Sequence, residues 1–263
     1  MHAGEYHAAG VSFPGMPGVA IGRTNTTAWS ITNSKIDSAD WFLERVRGNE
    51  VEKDGKWVKM QKRTEYIKVR GGDPVEFNVY STEHGLGIEC PVFRGIENYS
   101  MIQKIVPNLF NVNLENFSWC WALAHKEDKS IQVVLGMPLT KSVDEFFSLF
   151  DDYSGGSYSL LWSSEDEDGY LAPGLYPKRK SGKYVKKGWE SANDWEAWHS
   201  PKETPRVKNS KRGFYFTTNN KITSENHFTD IGTGIGINSR AIRINELIEE
   251  KVRRGEKVSG EDA

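Results

Sequence analysis

Residues Val51-Glu52-Lys53-Asp54-Gly55-Lys56-Trp57-Val58 set an Asp-Gly pair between two short flanks. Asp-Gly favours a two-residue turn in which both residues take positive φ, the turn that joins antiparallel strands. This places antiparallel β-structure in the first half of the chain, and other positions agree. Val75, Phe77 and Val79 alternate with Glu76, Asn78 and Tyr80, the period-two pattern of a half-buried strand. The Gly71-Gly72-Asp73-Pro74 stretch before it is a turn. Residues 17–33 predict two more strands, Pro17 to Gly22 and Ala28 to Asn33, around a polar connection.

Helices are expected later. Ser142 stands three residues before Glu145, a capping box, and Phe146, Leu149 and Phe150 then share a face. A last helix is predicted from about Arg240 to Arg253, with Ala241, Ile244 and Ile248 on one stripe and Gly255 as its stop. Residues 164–213, rich in Gly, Pro, Trp and charge, read as long loops with little regular structure. Ser259-Gly260-Glu261-Asp262-Ala263 reads as the N-cap and first turn of a further helix, the expectation for a truncated sequence.

Composition narrows the function classes. Hydrophobic residues make up 37% and charged residues 27%, with a net charge of −2 and both signs interspersed, which gives no footprint for nucleic acid or an anionic membrane surface. No stretch approaches the roughly 20 apolar residues of a membrane span. Cys90 and Cys120 lack C-x-x-C spacing and indicate neither a zinc site nor a disulfide framework. There is no G-x-S-x-G elbow, no H-E-x-x-H and no phosphate loop. Glu165-Asp166-Glu167-Asp168-Gly169 lacks the alternation of a calcium loop and reads as a solvated acidic turn.

One pattern is specific. Pro14-Gly15-Met16-Pro17-Gly18 leads to Ala28-Trp29-Ser30-Ile31-Thr32-Asn33, then to Asp37-Ser38-Ala39-Asp40 and the Glu44-Arg45 pair. Further on come Thr82-Glu83-His84-Gly85, Gly169-Tyr170, Pro173-Gly174-Leu175-Tyr176-Pro177 and Gly213-Phe214-Tyr215-Phe216-Thr217-Thr218-Asn219-Asn220. In this order they resemble the penicillin acylase (penicillin amidase) family over most of the chain, with residues 86–135 matching poorly. The resemblance implies an α+β fold of the N-terminal-nucleophile hydrolase type, a sandwich with antiparallel sheets, incomplete here. Residues 1–263 then correspond to part of the catalytic β-chain.

The same resemblance implies the chemistry. In that family an exposed N-terminal Ser attacks an amide carbonyl while its own α-amine serves as base. The family's Ser-Asn-x-Trp context does not occur among these residues. The oxyanion donors would be the backbone N–H of Asn33 and the side-chain amide of Asn219, and Ile21 and Arg240 would line the substrate pocket. An Asn amide suits an oxyanion because it donates without carrying charge. A structural Ca²⁺ is implied at Asp37, the carbonyl of Ala39, Asp40 and Asp230, with a further carbonyl near Val185 and one ligand from the α-chain. No organic cofactor is implied. The partners implied are a small acyl-amide substrate and the missing α-chain or upstream segment, with no nucleic acid and no membrane span. The acyl group stays open between a β-lactam, an acyl-homoserine lactone and another amide. A non-catalytic binding or interaction domain on the same fold is the alternative.

Overall fold

The computed structural model describes residues 2–4, 6–84, 88–94, 116–124, 128–156, 158–180, 185–224 and 238–257. The expected helix start at Ser259–Ala263 lies outside them. The chain divides into two compact units, one of residues 1–37, 127–176 and 199–263, the other of residues 38–126 and 177–198.

The first unit is built on a six-stranded antiparallel sheet, in the order Arg206–Lys208, Asp168–Leu171, Tyr158–Ser163, Ala28–Asn33, Ile21–Arg23 and Ala9–Val11. Trp29, Leu160, Trp162 and Leu171 point from its strands into a core completed by Val133, Met137, Val143, Phe146 and Phe150. These last five come from the helices Ser130–Gly136 and Val143–Leu149 and the single-turn segments that follow them. The buried indoles are satisfied: Trp29 Nε1 donates to the Val19 carbonyl at 3.1 Å and Trp162 Nε1 to Thr140 Oγ1 at 3.1 Å. Gly169 is required for this packing, because a Cβ there would come within 2.3 Å of Val143 Cγ2.

The second unit has a six-stranded sheet in the order Gln61–Ile67, Val75–His84, Ile88–Arg94, Asn116–Trp121, Ala39–Leu43 and Lys186–Lys187. Its pairs are antiparallel except the last, where Lys186 lies opposite Phe42 in parallel register. The Asp54-Gly55 hairpin forms as expected between Glu50–Lys53 and Lys56–Lys59, with φ of 47° and 76° at the two turn residues.

Several expectations are corrected. The first strand near residue 20 is Ile21–Arg23 and not Pro17 to Gly22, since Gly18 takes φ 91° before it. The alternation at Val75 and Phe77 does mark a strand, but both side chains are exposed, at 52% and 53%. Periodicity predicts a two-faced strand; it does not supply the surface that covers the apolar face. The described residues of 164–213 hold five short strands. At two to four residues each, these carry no readable period. Ser142 does cap its helix by accepting from Glu145 N–H at 3.2 Å, but the Glu145 carboxylate reaches Lys141 N–H at 2.7 Å, so the reciprocal arm of the capping box is displaced by one residue.

Candidate functional site

Within the first unit, Asn33 ends the strand Ala28–Asn33, and the segment 217–220 is bound against that end. Thr32 Oγ1 lies 2.8 Å from Thr217 Oγ1, and Asn219 Nδ2 donates to the Asn33 carbonyl at 2.9 Å. Two residues 186 positions apart in sequence thus meet directly.

Asn219 has φ 60°, a left-handed conformation that Asn tolerates better than most residues. Its neighbours hold that turn. Thr218 N–H donates to Asn220 Oδ1 at 3.0 Å, and the Thr218 carbonyl accepts from Asn238 Nδ2 at 3.1 Å and Arg240 Nη2 at 2.6 Å. Arg240 Nη2 also donates to Asn219 Oδ1 at 3.1 Å. These contacts define the amide's orientation from both sides. A guanidinium can only donate, so the amide oxygen must face Arg240; a carbonyl can only accept, so the amide nitrogen must face Asn33.

Asn238 also starts the helix Ser239–Arg253. Its Oδ1 accepts from Ala241 N–H at 2.9 Å and from Thr218 Oγ1 at 3.1 Å. The helix cap and the Asn219 turn therefore share one side chain, which sequence reading missed. An Asn between a Gly-rich stretch and a helical stripe was the available signal. Asn238→Ala is expected to cost about 1 kcal/mol of stability, read from urea unfolding. An unchanged midpoint would show that the cap carries no weight.

Ile21 is partly buried in the neighbouring strand. A cleft lined by Trp29, Ser163, Glu165, Asp168 and Tyr215 lies at the Ala28 end of the central strand, away from Asn33.

Of the residues implied for calcium, Asp37 is partly buried beyond the Ala28–Asn33 strand, and Val185 precedes the Lys186–Lys187 strand. Asp230 lies outside the described residues. Ala39 and Asp40 open a strand of the second unit. The Asp40 carboxylate, buried at 4% exposure, accepts from Arg179 Nε at 2.7 Å, Lys186 Nζ at 3.1 Å and Trp195 Nε1. Its surroundings are cationic and do not fit a divalent metal ion.

Sequence reading also gave no role to a buried network of the second unit. His84 Nε2 lies 2.5 Å from Glu44 Oε1 and 3.0 Å from Ser118 Oγ, while Nδ1 lies 3.4 Å from Asp194 Oδ1. Ser118 Oγ donates to Glu44 Oε1 at 2.5 Å, and the imidazole stacks on Phe42 at 4.1 Å. Lys53 Nζ completes the chain at 2.5 Å from Asp194. Burial pulls the His84 pKa down, but hydrogen bonds to Asp194 and Glu44 and the Glu44 charge outweigh it, and the net shift is upward. Ser118 and His84 are buried at 0% and 2% exposure, so neither side chain is open to a substrate.

The family model described as penicillin amidase matches residues 1–263. The chain belongs to the penicillin amidase family. It is 26% identical to the acyl-homoserine lactone acylase QuiP of Pseudomonas syringae pv. syringae, over 94% of this chain and 29% of that protein. To the penicillin G acylase of Escherichia coli it is 23% identical, over 96% of this chain and 28% of the relative. It thus spans under a third of the length of these penicillin amidase relatives. Among solved structures it matches the thermostable penicillin G acylase from Alcaligenes faecalis with a TM-score of 0.78 at 20% identity, over all of this chain and 44% of that one. The fold is accordingly the α+β, largely antiparallel fold of that acylase, as the motif order implied.

Proposed function

We propose that this chain supplies the oxyanion-binding part of an N-terminal-nucleophile amide hydrolase whose nucleophile lies in the family's Ser-Asn-x-Trp segment, outside these 263 residues. The observation that carries the reading is the Asn33–Asn219 contact, with the amide oriented by Arg240. The attacking Ser hydroxyl forms a bond to the amide carbon, its proton passes to the Ser α-amine, and the carbonyl oxygen becomes an oxyanion. The oxyanion takes a hydrogen from Asn219 Nδ2, which has a second hydrogen beyond the one given to Asn33. An extended residue turns its N–H and C=O to the same strand edge. The Asn33 N–H therefore faces the edge on which its carbonyl meets Asn219. Collapse of the oxyanion breaks the C–N bond, the amine leaves with the proton, and water then hydrolyses the acyl ester.

The substrate class is an acyl amide, in keeping with relatives named for acyl-homoserine lactone and penicillin G. The partner is a chain or segment that brings the Ser. The test is to assay residues 1–263 with phenylacetyl- and long-chain acyl-amide chromogenic substrates, alone and together with a segment bearing the nucleophile. Turnover is expected only with that segment. Turnover by residues 1–263 alone that Asn219→Ala abolishes would place a nucleophile within this chain and overturn the proposal.

A further inference from the structure

Asp40 stands in the Ala39–Leu43 strand, and among the described residues its three partners come from residues 177–198. Backbone pairing puts them there. Lys186–Lys187 runs parallel to the Asp40 strand, and Arg179 faces Trp195 across a short antiparallel pair. The ammonium of Lys186, on a side chain 3% exposed, also lies 5.8 Å from the centre of the Phe42 ring. The Arg179 guanidinium lies 5.5 Å from the centre of Trp195. Carboxylate on one side and aromatic rings on the other make a site for organic cations.

A calcium ion needs six to eight oxygen ligands. Ammonium, guanidinium and indole N–H groups are donors with no lone pair to offer. All three groups bonded to the Asp40 carboxylate are such donors, so they occupy its oxygens without adding a ligand for a divalent ion.

We propose that Arg179 and Lys186 do in this chain what the family's metal ion would do at Asp40, so that Asp40 is not a metal ligand. The two cations neutralise a buried carboxylate and pin residues 177–198 to the Ala39–Leu43 strand. The cross-link is then part of the polypeptide, and its strength is independent of the calcium concentration around the protein.

The experiment is thermal unfolding of the purified protein in EDTA and in millimolar Ca²⁺, for the wild type, Lys186→Met and Asp40→Asn. The wild-type Tm is expected to be the same in both buffers. Lys186→Met should melt roughly 6 °C or more lower in both, because it breaks a buried charge pair from one side. A calcium-dependent rise in the wild type that survives Asp40→Asn would place the ion on other groups and support the proposal for Asp40. A rise that Asp40→Asn abolishes and Lys186→Met leaves intact would overturn it. If Asp40→Asn does not fold, Lys186→Met decides, and an undiminished Tm would refute the internal cross-link.

Discussion

Asn219→Ala is expected to lower kcat about 10²–10³-fold in the protein that carries this chain together with its Ser nucleophile. The amide is held by Arg240 on its oxygen and by the Asn33 carbonyl on its nitrogen, so it needs no reorganisation when charge develops on the substrate. A hydrogen bond made only to the oxyanion should lower kcat and kcat/KM together and leave KM nearly unchanged. Alanine also replaces a residue with φ 60°, so the turn itself could be what suffers. Asn219→Gly separates the two causes, because glycine accepts that conformation without strain. An equal loss in Asn219→Gly assigns the effect to the amide. Recovery of activity in Asn219→Gly would show that the residue serves the backbone and not the oxyanion.

The second large effect is on stability. Glu44→Ala is expected to destabilise the second unit by roughly 3–5 kcal/mol, because it leaves the buried His84 and Ser118 facing an empty space where both had a carboxylate. Its pH dependence follows from the direction of the His84 shift. A histidine whose pKa is raised by folding contributes stability that is complete below its ordinary value near 6.5 and lost as pH rises through the folded value. The groups facing the imidazole are Glu44, Asp194 and Ser118, with Lys53 behind Asp194. Urea unfolding followed by tryptophan fluorescence between pH 5 and 9 should therefore show stability declining on the alkaline side. His84→Gln should flatten that decline. An unaltered slope in His84→Gln would assign the alkaline loss to other groups.

The sequence shows some of this clearly, for identifiable reasons. Asp54-Gly55 is legible because its chemistry is local: two positive φ values in sequence demand those residues. Asn33 and Asn219 are legible through motif order, which carries long-range pairing that no periodicity can. Arg179 and Lys186 are not legible, because their meeting with Asp40 depends on the pairing of two-residue and three-residue strands in a loop-like stretch. The orienting role of Arg240 is likewise invisible until the turn at Asn219 is built, since the sequence shows only a basic residue near the start of a helix.

The segmented layout of the first unit has a consequence for how the protein is made. Its central strand, Ala28–Asn33, leaves the ribosome well before its neighbour Tyr158–Ser163, which follows only after the whole first stretch of the second unit. At synthesis rates of about 5–20 residues per second, roughly 10–40 s separate the appearance of Asn33 from that of Asn219. Until Tyr158–Ser163 emerges within that interval, the strand offers one unpaired edge, with Trp29 exposed, to other nascent chains. Yield of active protein should therefore depend on translation speed and chaperone supply more than the stability of the finished fold would suggest, and slowing synthesis between these two asparagines should increase aggregation.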